Sequence, residues 1–154
     1  MRAYADTNFF TNLFLKLSHH EEARALYDRR GAQPAELIPI TPLLEMEFLN
    51  ALERYVFESR KGGQWRVNPE GAMVAAALFE DAIQARADFE QRPLGLPAIK
   101  GLFERIVHRH TATYGFRTYD ILHVASALAL GCDTFWTFDA KARKLAKLEG
   151  LATN

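Results

Sequence analysis

Four acidic residues occupy sequence positions from which a fold could bring their carboxylates together: Asp6, Glu47, Asp120 and Asp139. Each alone has an ordinary explanation, because an acid near the start of a helix binds free N–H groups and meets the positive end of the helix dipole. Clustered carboxylates, however, repel one another unless a hard divalent cation neutralises them. Such an ion activates a bound water and stabilises charge on a phosphoryl group. The four acids therefore suggest metal-dependent hydrolysis.

Three nearby residues leave alternatives open. Glu45 competes with Glu47, because residues two apart on a helix point in different directions and the periodicity of the helix does not separate them. His123 lies one turn after Asp120 and is either a ligand or proton donor or, as we favour, a packed residue with a satisfied hydrogen bond. Arg117 either contacts a phosphate or pairs with a site carboxylate, and the two interpretations stand equal.

The rest of the sequence predicts strands and helices in alternation. Strands are predicted over 2–5, 37–40 and 134–138, and helices over about 9–17, 21–30, 42–60, 69–91, 99–113, 118–130 and 140–148. The candidate N-caps are Asn8, Ser18, Thr41 and Thr118. Strands separated by helices imply a parallel sheet covered on both faces, an α/β sandwich. Ligands of such sheets bind beyond the carboxyl ends of the strands, where Asp6 and Asp139 would lie.

Size and composition favour one globular domain spanning residues 1–154. Hydrophobic residues make up 49% of the chain and charged residues 25%, the balance of an ordinary globular protein. No apolar run approaches the roughly 20 residues that span a bilayer, and the N-terminus lacks the apolar stretch of a secretory signal. The single cysteine, Cys132, has no partner for a disulfide. We therefore expect a cytoplasmic protein with no membrane association.

Charge is unevenly distributed although the net charge is zero. Residues 100–154 hold eight Lys and Arg against five acids, a net charge of +3 that residues 1–99 balance. If a polyanion binds, the expected local contacts are Arg117, Lys141, Arg143 and Lys144. Trp65 lies in a predicted loop between Lys61 and Arg66, where it either packs, which we favour, or contacts RNA or a partner. Six aromatic residues are expected in the core or a dimer interface: Phe9, Phe10, Phe14, Phe135, Trp136 and Phe138.

Four sequence blocks resemble one known family. They are ADTNFF at 5–10, EFLNAL at 47–52, RTYDILHVASAL at 117–128 and TFDAKARKLAKLEGL at 137–151. The residue types, the order and the spacing of these blocks resemble those of the PIN-domain nucleases, in particular the VapC-like toxins of toxin–antitoxin pairs. Residues of about 59–115 resemble that family only in being helical.

The resemblance implies a three-layer α/β/α sandwich with a short central parallel sheet. It implies that an acidic site binds Mg²⁺ or Mn²⁺ and hydrolyses RNA phosphodiesters, with four residues as ligands and catalytic groups: Asp6, Glu47, Asp120 and Asp139. By the same match Thr137 supplies a hydroxyl near the metal and Asn8 organises the loop around Asp6. The block at 47–52 favours Glu47 over Glu45. A VapB-like antitoxin and a homodimer are implied by the resemblance alone.

Two other functions fit parts of the sequence. Phosphatases with an aspartate nucleophile also place Asp after a strand, but they need a second Asp two residues later, where this chain has Asn8. A PIN fold kept only as a binding or assembly module would usually have lost some of the acids, and all four are present. The metal-dependent ribonuclease is therefore the preferred hypothesis.

Overall fold

In the part of the chain that the computed structural model describes, residues 1–29 and 36–154, five short strands pair in parallel. They are β1 Ala3–Ala5, β2 Ile38–Ile40, β3 Phe89–Gln91, β4 Thr134–Trp136 and β5 Ala152–Thr153. β4 pairs with β1 and β5, with Ala3 opposite Thr134, whereas β2 pairs with β3. β1 and β2 lie side by side. The three-stranded sheet β1–β4–β5 and the two-stranded sheet β2–β3 thus lie next to each other as one central layer of parallel strands.

Helices cover both faces of this sheet. They are α1 Thr7–Phe14, α2 His20–Arg29, α3 Pro42–Arg60, α4 Pro69–Ala85, α5 Leu96–Ile106, α6 Ala112–Tyr114, α7 Thr118–Ala129 and α8 Ala140–Leu148. A π-helical turn, Val107–Thr111, joins α5 to α6. None of these helices is long and apolar enough to cross a bilayer.

Side-chain alternation along the strands divides the core into two halves, one on each face of the sheet. Ala3, Ala5 and Trp136 pack in the half formed with α1 to α4, and Tyr4 and Phe135 pack in the half formed with α5, α7 and α8. This follows from the period of two in a strand, which sends successive side chains to opposite faces. The predicted α/β/α sandwich is confirmed.

Several predicted elements are confirmed closely. Thr41 caps α3, with Pro42 as the first helical residue, and α8 has the predicted bounds. α7 is buried along most of its length. α5 begins at Leu96, three residues earlier than predicted. The predicted end of α2 at Arg30 and Gly31 falls outside the described residues.

Two predicted N-caps are wrong, each by one or two residues. α1 is capped by Asp6, whose Oδ1 accepts the Phe9 N–H at 3.0 Å, and Asn8 lies inside the helix. The N-cap of α7 is Arg117, with Asp120 accepting its backbone N–H. In both cases an aspartate carboxylate accepts a backbone N–H at the helix start.

The predicted helix over 69–91 is too long. α4 ends at Ala85, Arg86 adopts a left-handed conformation with φ of 50°, and the next residues form β3. The strand exists because β2 offers its backbone for pairing, which no local pattern reveals. Val74 and Leu78 are exposed, and the buried face of α4 consists of Ala72, Ala75, Phe79 and Ile83.

A buried acid fixes the end of α8 against α5. The Glu149 side chain is 2% exposed and lies 2.9 Å from Arg105 Nη2, 3.4 Å from Arg109 Nη1 and 2.8 Å from His110 Nε2. Burial raises the pKa of Glu149, but hydrogen bonds from His110 and Arg105 outweigh it and leave the pKa below its ordinary value. This network lies on the opposite core half from α3 and α4 and is structural.

Candidate functional site

The loops after β1 and β4 meet at the carboxyl edge of the sheet. Asp6 follows β1 at once, and its N–H donates to the Trp136 carbonyl at 3.2 Å. Asp139 follows β4 after a two-residue turn. The Asn8 side chain joins the two loops, because its Oδ1 accepts the Phe138 N–H at 3.0 Å. Adjacent parallel strands thus bring two of the predicted acids to one edge, as expected from their order.

A cavity of about 350 Å³ opens at this edge. Its walls come from the loops after β1 and β4, one face of α3, the start of α7 and the loop between α3 and α4. The lining residues are Asp6, Thr7, Asn8, Thr11, Glu47, Ala51, Arg54, Tyr55, Glu58, Trp65, Arg117, Asp120, His123 and Asp139. The four acids of the prediction, from four separate parts of the chain, therefore share one cavity.

Asp6 is the most deeply placed of the four acids, at 5% exposure. Burial raises its pKa to about 6, and the nearby charge of Glu47 adds to the rise, while His123 and a hydrogen bond with Thr137 oppose it. The raised pKa means that the folded protein holds this negative charge at an energetic cost. A cation beside Asp6 would remove that cost.

Glu47 is held by two hydrogen bonds. Its Oε2 accepts from the Thr7 hydroxyl and lies 2.5 Å from His123 Nε2. Burial raises the pKa of Glu47, but the hydrogen bonds with His123 and Thr7 and the charge of Arg117 leave it below its ordinary value, so the group is ionised at neutral pH. Glu45 instead lies 3.3 Å from Gln91 Nε2 and does not line the cavity.

His123 connects Glu47 to the centre of the sheet. An ionised carboxylate only accepts hydrogen bonds, so His123 Nε2 carries the proton that Glu47 accepts. The other ring nitrogen, Nδ1, lies 2.8 Å from the Tyr4 hydroxyl on β1. Both residues are buried. The result is a hydrogen-bonded chain from Tyr4 through His123 to Glu47, which fixes the orientation of the carboxylate.

Arg117 bridges the other two acids. Its Nε lies 3.2 Å from Asp120 Oδ2, and its Nη2 lies 3.4 Å from Asp139 Oδ2. The opposite carboxylate oxygen of Asp139 caps α8 by accepting the N–H groups of Lys141 and Ala142 at 2.8 and 2.9 Å. Of the two interpretations left open for Arg117, the structure has the pairing with site carboxylates.

Thr137 is fully buried between the two loops. Its hydroxyl accepts the Asp139 N–H at 3.0 Å and also forms a hydrogen bond with the Asp6 carboxylate. Arg143 donates from Nη2 to the Thr137 carbonyl at 2.9 Å, so this arginine supports the loop and is only half exposed. Lys141 and Lys144 are exposed on α8 and stay available for a polyanion, with Lys144 Nζ 4.0 Å from the centre of the Tyr114 ring.

The cavity can supply four carboxylates to a metal ion, all with the oxygen donors that Mg²⁺ and Mn²⁺ prefer. Within residues 1–29 and 36–154, no three His, Cys, Asp or Glu side chains already stand close enough to form a metal-binding group. The positive charge near Asp120 and Asp139 comes from Arg117 instead. The carboxylate oxygens are the type of donor that a hard divalent cation takes, and the charge of Asp6, which its neighbours only partly compensate, favours such an ion.

Sequence reasoning did not find several residues of the cavity. Arg54 and Tyr55 carried no motif, and Thr7, which belongs to the ADTNFF block at 5–10, was not predicted to donate to Glu47. A usable signal existed for Tyr55 and Arg54, which follow Glu47 at helical spacing on α3. Trp65, for which the sequence leaves packing and RNA or partner contact open, lies on the cavity wall and also packs edge-on against Tyr55.

Comparison with known proteins adds a family and a fold. The model of the PIN domain matches residues 3–148. No curated protein matches the chain in sequence. The VapC20 toxin of Mycobacterium tuberculosis, described as cleaving the sarcin–ricin loop, superposes with a TM-score of 0.62 at 17% identity, over 92% of this chain and 93% of its own. VapBC2 from Rickettsia felis, described as bound to a DNA fragment from its promoter, gives a TM-score of 0.67 at 13% identity, over 100% and 98%.

Proposed function

The chain belongs to the PIN domain family, and from this premise we propose that it is a divalent-metal-dependent endoribonuclease acting as the toxin of a toxin–antitoxin pair. The observation that carries the proposal is the convergence of Asp6, Glu47, Asp120 and Asp139 on one cavity at the carboxyl edge of the parallel strands. A carboxylate cluster of this kind suits a hard cation and repels the phosphates of RNA in its absence.

We propose that these four acids hold Mg²⁺ or Mn²⁺. When bound, the ion would supply a water activated as a nucleophile and would neutralise charge on the phosphoryl group. Thr7 and His123 keep the Glu47 carboxylate oriented, and Asn8 and Thr137 keep the loops of Asp6 and Asp139 together. Arg117 is two-thirds exposed at the cavity mouth, where it can exchange its carboxylate partners for a substrate phosphate.

The experiment is a cleavage assay on purified protein. We expect RNA to be cut with Mg²⁺ or Mn²⁺ and left intact with chelator, and we expect Asp6→Asn and Asp120→Asn to abolish cutting while circular dichroism stays unchanged. Asp133→Asn is the matched control, because Asp133 is an exposed acid at the opposite end of β4. Cleavage that persists in chelator and in both site variants would contradict the proposal.

A binding module without catalysis is the second candidate, and one observation favours it. Arg117 pairs with both Asp120 and Asp139, and such a pairing would be suited to a carboxylate cluster kept without a metal. This alternative expects no metal-dependent cleavage of any RNA. It also expects that Mg²⁺ leaves the melting temperature unchanged, whereas a ligand that binds only the folded protein raises it.

The proposed partners are RNA as substrate, a VapB-like antitoxin and a second copy of the chain. The antitoxin is supported by the likeness of the fold to VapBC2. Apolar side chains that α3 and α4 leave exposed, among them Met46, Leu49 and Met73, offer area for a protein partner. Expression of wild type and Asp6→Asn in a bacterium, with mapping of new RNA 5′ ends, would identify the RNA and show whether growth arrest requires the site.

A further inference from the structure

The cavity continues beyond the four carboxylates along α3. Glu47, Ala51, Tyr55 and Glu58 all line it, and they recur every three or four residues, so they form one stripe on the helix. At 1.5 Å of rise per residue, Tyr55 lies about 12 Å along the helix axis from Glu47. Ala51, between them, has a small side chain that leaves the cavity open. The far end of this stripe is therefore part of the same groove as the acids.

Two aromatic rings form the far end of the groove. Tyr55 and the Trp65 indole pack edge to face, with ring centres 5.6 Å apart and an interplanar angle of 82°. Both rings are half buried and both line the cavity. Arg54, exposed beside them, is the cationic group of this end. Aromatic rings with an adjacent arginine are the surface on which proteins stack bases of single-stranded nucleic acid.

The loop that carries Trp65 is held against α3 by hydrogen bonds. The Ser59 hydroxyl donates to the Tyr55 carbonyl at 2.7 Å and accepts the Val67 N–H at 2.9 Å. The Gly63 N–H donates to the Glu58 carbonyl at 3.0 Å. A Cβ at Gly63 would lie 2.8 Å from that same carbonyl oxygen, so only glycine permits this approach. Trp65 is thus positioned before any ligand arrives.

The charge at this end favours a base over a phosphate. Glu58 lines the cavity beside the aromatic pair, and its carboxylate would repel a phosphate but can accept from the amino group of a base. The exposed Lys141 and Lys144 of α8 lie beyond Asp139 instead, so the sugar–phosphate backbone has cationic partners on the other side of the carboxylates.

We propose that Tyr55, Trp65 and Arg54 form a stacking subsite for a nucleobase of single-stranded RNA, in the same groove as the acids that face the scissile phosphodiester. The inference rests on the proposed ribonuclease function and deepens it, because it assigns a positioning role to residues outside the acidic motifs. Stacking on an aromatic ring is tolerant of sequence. The subsite therefore selects unpaired RNA and directs the same strand along the groove to the acids.

The test measures binding apart from cleavage. The Asp6→Asn protein, which should not cut, is titrated with short oligo(A), oligo(C) and oligo(U) in Mg²⁺ while tryptophan fluorescence is recorded. The chain has two tryptophans, and Trp136 is 2% exposed, so Trp65 is the one that a base can reach, and Trp65→Phe measures the contribution of Trp136 to the signal. We expect RNA to quench this fluorescence, and we expect Trp65→Ala to weaken binding about tenfold or more, with Trp65→Phe retaining most of it.

Phe57→Ala is the matched control. Phe57 is an exposed aromatic residue on α3 that does not line the cavity, so its removal should leave RNA affinity unchanged. Equal RNA affinity of wild type and a folded Trp65→Ala protein overturns the subsite, and this is the result expected if the aromatic pair binds a protein partner. Should Trp65→Ala not fold, absence of quenching in the protein that retains Trp65 overturns it as well.

The subsite and the nuclease can fail separately. Unaltered cleavage rate and product pattern in Trp65→Ala, together with unaltered affinity, remove the subsite and leave the ribonuclease. Trp65-dependent binding of RNA by a protein that cuts none removes the ribonuclease and leaves the subsite. Cleavage that loses its preference for unpaired RNA in Trp65→Ala supports both.

Discussion

Replacing Asp6 by asparagine should stabilise the metal-free protein while abolishing its activity. Asp6 is buried at the start of α1, and burial raises its pKa from 3.8 to about 6. At neutral pH the folded chain therefore holds a carboxylate whose charge it only partly compensates. Asparagine has nearly the same shape and caps a helix about as well, so the Phe9 N–H keeps its acceptor.

The magnitude follows from the pKa. A rise of about two pKa units corresponds to about 3 kcal/mol between the protonated and ionised forms in the folded state. Because the folded-state pKa lies above the unfolded one, the folded protein binds more protons between pH 4 and about 6, and its stability decreases as pH rises through that interval. At pH 7 the variant should be more stable by about 2–3 kcal/mol, or about 5–10 °C in melting temperature for a chain of this size.

Thermal melts in EDTA at pH 4.5 and pH 7 measure this difference. In EDTA, the melting temperature of Asp6→Asn should be higher than that of wild type at pH 7 and much closer to it at pH 4.5. With Mg²⁺ in place of EDTA, the melting temperature of wild type should rise and that of Asp6→Asn should not. Asp139→Asn is the control, because its side chain is one-third exposed and asparagine preserves its capping role. A melting temperature of Asp6→Asn at or below that of wild type in EDTA at pH 7 would refute the reasoning.

Three other changes probe the supports of the fold and site. Glu149→Gln should cost roughly 1–3 kcal/mol in urea unfolding at pH 7 and much less in acid, because the lowered pKa of Glu149 makes its contribution disappear as pH falls through that pKa; an equal loss at both pH values would contradict this. Gly63→Ala should cost about 1–3 kcal/mol and reduce RNA binding, since its Cβ meets the Glu58 carbonyl; unchanged near-UV circular dichroism would speak against it. Thr7→Val removes the hydrogen bond to Glu47 and should weaken Mn²⁺ binding about 10- to 100-fold by calorimetry, and affinity equal to wild type would show that Thr7 does not support the site.

The sequence predicted elements well where local chemistry decides them. Thr41 is the N-cap of α3 and Pro42 is its first residue, the positions that these residue types commonly take. The amphipathic helix α8 has the predicted bounds. The prediction failed where pairing with a distant strand determines the element. β3 and β5 are two or three residues long and exist through pairing with β2 and β4, so no periodicity marks them.

The candidate site follows the same division. The order of strand, acid and helix predicted that Asp6 and Asp139 would share an edge, and the cavity contains both. The link from Glu47 to His123 and Tyr4 joins residues far apart in the chain, so only the folded structure reveals it. Likewise the buried face of α4 uses Ala72 and Ala75, because small side chains permit close packing that hydrophobicity alone does not predict.

Three of the four acids also stabilise the starts of helices, and this affects which site residues a relative of this chain would lose first after losing its activity. Asp6, Asp120 and Asp139 accept backbone N–H groups at the starts of α1, α7 and α8. A descendant that had abandoned hydrolysis would still lose stability if any of them became a residue that cannot accept these N–H groups, so natural selection could keep Asp or Asn at these positions in an inert protein. Glu47 lies in the middle of α3 and has no such second duty. Its replacement should therefore be the earliest mark of a lineage that no longer cuts RNA.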